Sequence, residues 1–321
     1  MRPNGGRGAG PDGPGNPLPM RRVQPIMTLA PGTEILRYAA FTADPAGGNP
    51  AGVVPDAAGL DDAEQLAIAA RLGYSETAFL RPIGDRAYAV RYFSPLAEVP
   101  FCGHATIASA VALGERLGPG GLRFETKAGT VPVEVVAGGD GVLSATLTSV
   151  EPSVEPVADA DVTEALDALG WSRTDLDQAL PPRIAFAGAR HLVLATATRE
   201  RLADLAYDFD RLTRFMTGLD LTTLQLVHRT APDVFHVRDP FPVGGVVEDP
   251  ATGAAAAAFG AYLREIDGVR DAELTLHQGE DLGRPGTLRV RIDPADRLIR
   301  VSGAAVRIPR RNPTRNPDPS S

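Results

Sequence analysis

Phe101-Cys102-Gly103-His104-Ala105-Thr106 and Glu248-Asp249-Pro250-Ala251-Thr252-Gly253-Ala254 are the two most informative stretches of this chain. Each is a glycine-bearing turn running at once into a small-residue segment with the composition of a helix, 107–113 after the first and 254–263 after the second. Each also follows a segment that reads as a strand, 89–93 and 234–237. A helix N-terminus presents unpaired backbone N–H groups and the positive end of its dipole. Two such termini facing each other across a cleft form a socket for a small anion such as a carboxylate. The pattern predicts two similar halves holding that ligand between them, with His104 and Asp249 beside it as titratable groups.

Working outward, 321 residues suffice for two domains or one large one with a sizeable core. A hydrophobic content of 43% and a charged content of 22% are those of a soluble globular protein. The net charge of −8 argues against nucleic acid and anionic membrane surfaces as partners. No apolar run is long enough to span a membrane. The single cysteine, Cys102, excludes an intrachain disulfide, and the cytoplasm is the expected location. Residues 1–32, rich in Gly, Pro and Arg without the apolar core of a signal peptide, read as a disordered N-terminal extension, with Met20 or Met27 as alternative starts. Residues 309–321 read as a disordered tail.

Between these ends strands and helices mix. Residues 35–41 read as a strand and 47–50 as a turn. Asp61 followed by Glu64 is a capping-box start for a helix that Gly73 ends. Residues 122–136 read as paired strands around Gly129, and 145–148 as a strand. Residues 162–169 and 199–205 read as helices, with a buried strand at 191–196 between them; 288–292 and 299–303 alternate as a closing hairpin.

Several side chains have two readings on residues alone. Glu76 stands where a helix end gives way to an apolar strand; it is either a surface group or a partly desolvated carboxylate whose raised pKa suits proton transfer. His104 is either a structural hydrogen-bonder or a donor to a ligand that Gly103 lets approach closely. Asp249, before Pro250, is a turn or N-cap carboxylate or a third titratable group at the site. Cys102 reads as a small buried apolar residue. Arg190 and Arg238 are available to hold an anion, and Trp171 either packs on the surface or covers the site. His191, His228, His236 and His277 lack metal-ligand spacing, and no phosphate loop or dinucleotide fingerprint is present, so no metal, nucleotide or flavin is expected.

The two turns join three further segments in a fixed order: Phe41-Thr42-Ala43-Asp44-Pro45-Ala46-Gly47-Gly48-Asn49-Pro50-Ala51-Gly52-Val53-Val54, then Leu72-Gly73-Tyr74-Ser75-Glu76-Thr77-Ala78-Phe79, and last Gln278-Gly279-Glu280-Asp281-Leu282-Gly283-Arg284-Pro285. With them the chain resembles the PhzF-like (phenazine biosynthesis) family of isomerases over residues 34–308. That resemblance implies an α+β, diaminopimelate epimerase-like fold of two pseudo-symmetric halves. Each half is a curled, mainly antiparallel sheet around a central helix, with the active site in the cleft between them. The N-terminal half takes residues 33–140, with the strand at 298–308 returning to it, and the C-terminal half takes 141–297.

The resemblance also implies a homodimer and a cofactor-independent enzyme acting on a small carboxylate. Glu76 would be its proton-shuttling acid/base, His104 and Asp249 its catalytic partners, and Ser75, Gly103, Gly253, Ala254 and Asn49 its substrate contacts, a turn-forming role being open for Asn49. Ala254 stands where family members often carry Ser, which removes a hydroxyl and keeps the backbone donor. The two-thiol chemistry of diaminopimelate epimerase is excluded by the single cysteine. The expected reaction moves a proton between carbons of an intermediate such as trans-2,3-dihydro-3-hydroxyanthranilate. The alternatives are epimerisation of another metabolite and a carboxylate-binding protein without turnover.

Overall fold

The computed structural model describes residues 33–139 and 141–309; the readings of 1–32 and of 310–321 as disordered fall outside them. The first half runs β1 (Leu36–Ala40), β2 (Asn49–Val54), α1 (Asp62–Leu72), β3 (Glu76–Gly84), β4 (Ala87–Phe93), β5 (Glu98–Val99), α2 (Gly103–Leu117), β6 (Gly120–Thr126), β7 (Gly129–Ala137) and β8 (Leu143–Thr148). The second half opens with β9 (Ser153–Pro156), later than the expected boundary at 141 because β8 pairs with β7, and continues with α3 (Asp159–Leu169), β10 (Arg183–Phe186), β11 (Arg190–Ala195), α4 (Arg199–Ala203) and α5 (Phe209–Gly218). It continues through β12 (Thr223–Ala231), β13 (Val234–Pro240), β14 (Glu248–Asp249), α6 (Gly253–Ile266), β15 (Ala272–Gln278), β16 (Gly286–Ile292) and β17 (Ile299–Arg307).

Strand directions repeat between the halves. From β1 through β2, β3, β4, β6 and β7 to β8 the pairings are antiparallel, parallel, antiparallel, parallel, antiparallel, antiparallel. From β10 through β11, β12, β13, β15 and β16 to β17 the same series recurs. The two-residue β5 and β14 hold matching places, each folded back on the strand before a central helix. Strand β17 joins the sheets: it pairs with β16 and β8 through its first residues and with β1 through its last, closing the first sheet on itself.

Both central helices lie inside their sheets, which explains their composition. Every residue of α2 from Gly103 to Gly114 is buried, as is α6 from Ala255 to Leu263. A helix covered all round must be apolar all round, and alanine lets strands approach on every side. At Gly260 even a methyl group is too much, because a Cβ there would lie 2.8 Å from Val290 Cγ1. The capping box on α1 forms as its sequence predicts: Asp61 accepts from Glu64 N, Glu64 accepts from Asp61 N, and Gly73 ends the helix in the left-handed region.

Some elements differ from their prediction. The turn at 47–50 is shorter, since Asn49 and Pro50 already pair with Ala40 and Ala39 in β1. Helix α4 stops at Ala203, and α5 was not anticipated. Trp171 is buried in the satellite core that α3 and α5 form against β11 and β12, so it packs within the fold and does not cover the cleft. Among the described residues no helix is long and apolar enough to cross a membrane.

The N-termini of α2 and α6 meet through their first residues. A Cβ built on Gly103 would lie 3.1 Å from Gly253 Cα and 3.3 Å from Ala254 N. One built on Gly253 would meet the ring of Phe41, itself a buried residue held at φ 64° between the halves. Gly103→Ala must therefore part the two helix starts. We expect it to cost about 1–3 kcal/mol of stability, the usual penalty for overpacking, measured by chemical denaturation; an unchanged midpoint would show that the termini do not touch in solution.

Candidate active site

Glycine at both helix starts leaves the end of each helix open. The N-cap residues are Cys102 and Thr252, and neither side chain caps its helix. Thr252 Oγ1 is turned instead to Asp249 Oδ2, at 2.7 Å. Backbone N–H groups at both ends are thus left for another acceptor. Gly103, His104, Gly253 and Ala254 line an inner chamber of about 60 Å³. The chamber shares Glu76, Phe101, Ala189, Thr222 and Phe241 with an outer chamber of about 600 Å³, so the two form one cleft with a narrow end.

Glu76, the first residue of β3, is 7% exposed and faces both chambers. Burial, reinforced by the nearby Asp249 charge, pushes its carboxyl up to about 7. His104 is 3% exposed, and burial pushes its imidazole down to about 3, so the ring is neutral. Its tautomer follows from its neighbours. Nδ1 faces the Asn49 Nδ2 amide, a donor only, at 3.0 Å, and so accepts; the Cys102 sulfur lies 3.3 Å from the same nitrogen. The proton then sits on Nε2, which faces Glu76 Oε2 at 3.5 Å and Ser75 Oγ at 3.3 Å. The hydrogen-bond partner of Nε2 is Ser75 Oγ, and the Glu76 carboxyl lies beside that bond.

Asp249 enters from the other half. It accepts from Asn49 Nδ2 at 2.7 Å and from Thr252, and burial pushes it up to about 6. It belongs to β14 and is not the N-cap of α6. Asn49 is also more than a turn former: its amide reaches Asp249, His104 and Ala251 O from one position. The neighbouring Glu248 fixes this strand through a buried ion pair with Arg238, at 2.6 Å, and Arg238 donates further to Ala203 O. Arg238 is therefore spent on structure and is closed to a ligand. Arg190 pairs with Glu155 while lining the outer chamber.

Three features were not legible in the sequence. Cys102 is buried, but its sulfur lies 3.7 Å from Glu76 Oε2 and belongs to the polar cluster. Burial and the Glu76 charge raise it well above the usual thiol range, so it stays a thiol. Gln278, quoted above only as part of a motif, donates to Asp239 Oδ2 and Asp249 O and accepts from Thr252 N, tying β15 to the turn before α6. His191 forms part of the inner wall, which its distance from every motif conceals. Glu76, Cys102 and His104 are the one described group of three or more donors close enough to converge on a cation.

All the residues expected at the site meet here. Glu76, His104, Asp249, Gly103, Gly253 and Ala254 line the inner chamber; Ser75 lines the outer one, and Asn49 supports His104 and Asp249 from behind. A match to the family model of phenazine biosynthesis-like proteins, PhzC-PhzF, spans residues 38–310. The chain belongs to this family. An uncharacterized isomerase of Bacillus subtilis is 31% identical over 283 residues, covering 85% of this chain and 96% of the relative. The trans-2,3-dihydro-3-hydroxyanthranilate isomerase of Pseudomonas chlororaphis is 32% identical, covering 82% and 91%. The solved structure of a predicted epimerase of Pseudomonas aeruginosa superposes with a TM-score of 0.76 at 29% identity, over 86% of this chain and 96% of that one. As a PhzC-PhzF protein the chain is an isomerase of diaminopimelate epimerase-like fold.

The raised Glu76 carboxyl has a consequence for stability. It titrates near 4.5 in an unfolded chain and at about 7 in the fold. The folded state holds the extra proton between those values, so stability falls as pH rises through them. Glu76→Gln removes this dependence. The variant should gain on the wild type by up to about 3 kcal/mol between pH 4.5 and 7, read as a widening gap in denaturation midpoints. Asp249 and His104 titrate in both proteins and largely cancel. A gap that does not change with pH would show that Glu76 titrates normally.

Proposed function

We propose that this enzyme moves a proton between two carbons of a small, cyclic or unsaturated carboxylate without a cofactor, with Glu76 as the shuttle. The observation that carries the reading is the place of Glu76: a buried carboxyl pushed up to about 7, at the throat where the two chambers join. A group poised near neutral pH takes and returns a proton with comparable ease.

The inner chamber accepts the carboxylate at the two helix ends and has room for little more. The carbon skeleton then extends past Glu76 into the outer chamber, whose walls include Val99, Phe101, Phe186, Met216, Leu221 and Phe241. Apolar and aromatic walls suit an unsaturated ring. In the forward step the Glu76 carboxylate removes a proton from carbon, the C–H electron pair enters the conjugated system and the double bond shifts. The carboxylic acid then delivers the same proton to a second carbon. Nε2–H of His104 steadies the carboxylate while it is charged, and Asp249 biases its pKa upward. The Pseudomonas chlororaphis relative is named for an anthranilate-type substrate, and a skeleton of that class is the one we assign.

The test is turnover in D2O with small unsaturated carboxylates, trans-2,3-dihydro-3-hydroxyanthranilate among them, followed by mass spectrometry. Wild type should give isomerised product, with kcat/KM rising along a limb near pH 7. Glu76→Gln should lose about 10²–10⁴-fold in rate, the usual worth of a general acid/base, while still binding the ligand. Equal rates in the two proteins would end the proposal.

A further inference from the structure

His191 plays no part in the mechanism above, yet it forms part of the chamber that holds the carboxylate. It lies in β11, opposite Thr223 of the parallel β12, and is fully buried. Nδ1 is 2.8 Å from Thr223 Oγ1. Nε2 is buried and meets no partner among the described residues. A buried polar nitrogen left so is costly unless something in the chamber completes it. The tautomer decides what that something is. Among the described residues the bond to His191 is the only one the Thr223 hydroxyl makes, and within the protein the hydroxyl satisfies its own proton by donating it to Nδ1. The imidazole proton is then on Nε2. Burial pushes this ring down to about 3, which makes it a neutral donor and not a cation.

We infer that His191 is a substrate-binding residue whose Nε2–H donates to the carboxylate seated between the two helix ends. This rests on the carboxylate reading of the chamber. It adds a side-chain donor to a socket otherwise built from backbone N–H groups, so an anionic acceptor fits at this end and a group bearing its own hydrogens does not. A carboxamide would set an N–H against Nε2–H or against the helix ends.

The test compares binding of anthranilate, a stable aromatic carboxylate, with that of anthranilamide by calorimetric titration. Wild type should bind the acid and bind the amide at least about tenfold more weakly. His191→Leu should weaken anthranilate by about tenfold or more, and His191→Gln, whose amide can reach the Nε2 position, should restore most of that. Should the leucine variant fail to fold, Thr223→Val serves, since loss of the hydroxyl frees the ring to move its proton to Nδ1 and should weaken anthranilate as well. In the free wild-type protein, long-range proton–nitrogen NMR should find Nε2 protonated and Nδ1 bare. The reverse tautomer, or wild-type affinity in a folded His191→Leu, overturns the assignment of His191 alone. A wild type that binds no carboxylate overturns the reading of the chamber, and this inference with it.

Discussion

Everything at the site depends on two helix ends touching where neither first residue has a side chain. Gly103 and Gly253 let the backbones of α2 and α6 approach to a distance at which a single methyl group would be crowded, its Cβ at Gly103 lying 3.1 Å from Gly253 Cα. Because the ends meet, their unpaired N–H groups and the positive ends of their dipoles converge on one small space. Because each helix is sheathed by its own sheet, neither end can shift without moving a core. Phe41 reinforces the contact from the sheet side. Its ring abuts Gly253 and Gly303, and its carbonyl accepts from Thr287 N, so a residue in an unfavourable backbone region is held from several directions at once.

The same closure sets the electrostatics. Glu76, Cys102, His104 and Asp249 are all removed from water, and each is moved toward its neutral form. The Cys102 thiol and the His104 imidazole are neutral, Asp249, pushed up only to about 6, carries its charge at neutral pH, and the helix ends are the positive counterpart left for a further anion. On the proposed reading that ordering separates recognition from chemistry: the fixed dipoles would take the permanent charge, and Glu76 would change charge during turnover. The Arg238–Glu248 pair is the exception, a charge pair kept fully buried. Its place is structural: it pins β14 to β13 and α4, and so fixes the strand from which Asp249 projects.

How much of this the sequence disclosed follows from the range of each interaction. The helix starts, the α1 capping box and the closing hairpin rest on contacts within a few residues, and local patterns report them. The strand before each turn and the glycine within it were legible for the same reason. The positions of Glu76 and Asn49 beside His104 and Asp249 were not; those contacts span up to 200 residues, and only resemblance to a family whose motifs occur in this order brought them together. Where neither route applied, the reading failed. Cys102 has the composition of a core residue, and nothing nearby in the chain tells that its neighbours in space are a carboxylate and an imidazole. Arg238 looked available because its partner, Glu248, is recognisable only once β13 and β14 fold back on each other.

The division of the cleft also explains why Ala254 is tolerable where a hydroxyl is common. A socket made of backbone N–H groups depends on the path of the chain and not on the side chain at that position. On the proposed reading a serine would add one more donor beside the backbone N–H groups of the helix ends, so its loss would change the strength of binding more than its geometry. Selectivity among carboxylates must then come from elsewhere. The inner chamber, at about 60 Å³, would on the proposed reading hold the carboxylate and its nearest atoms and treat alike the skeletons that carry one. The outer chamber is ten times larger, and side chains of both halves form its walls. Substitutions there can change which ring or chain is accepted while leaving Glu76 at the throat, which makes one proton-transfer machine adaptable to different intermediates.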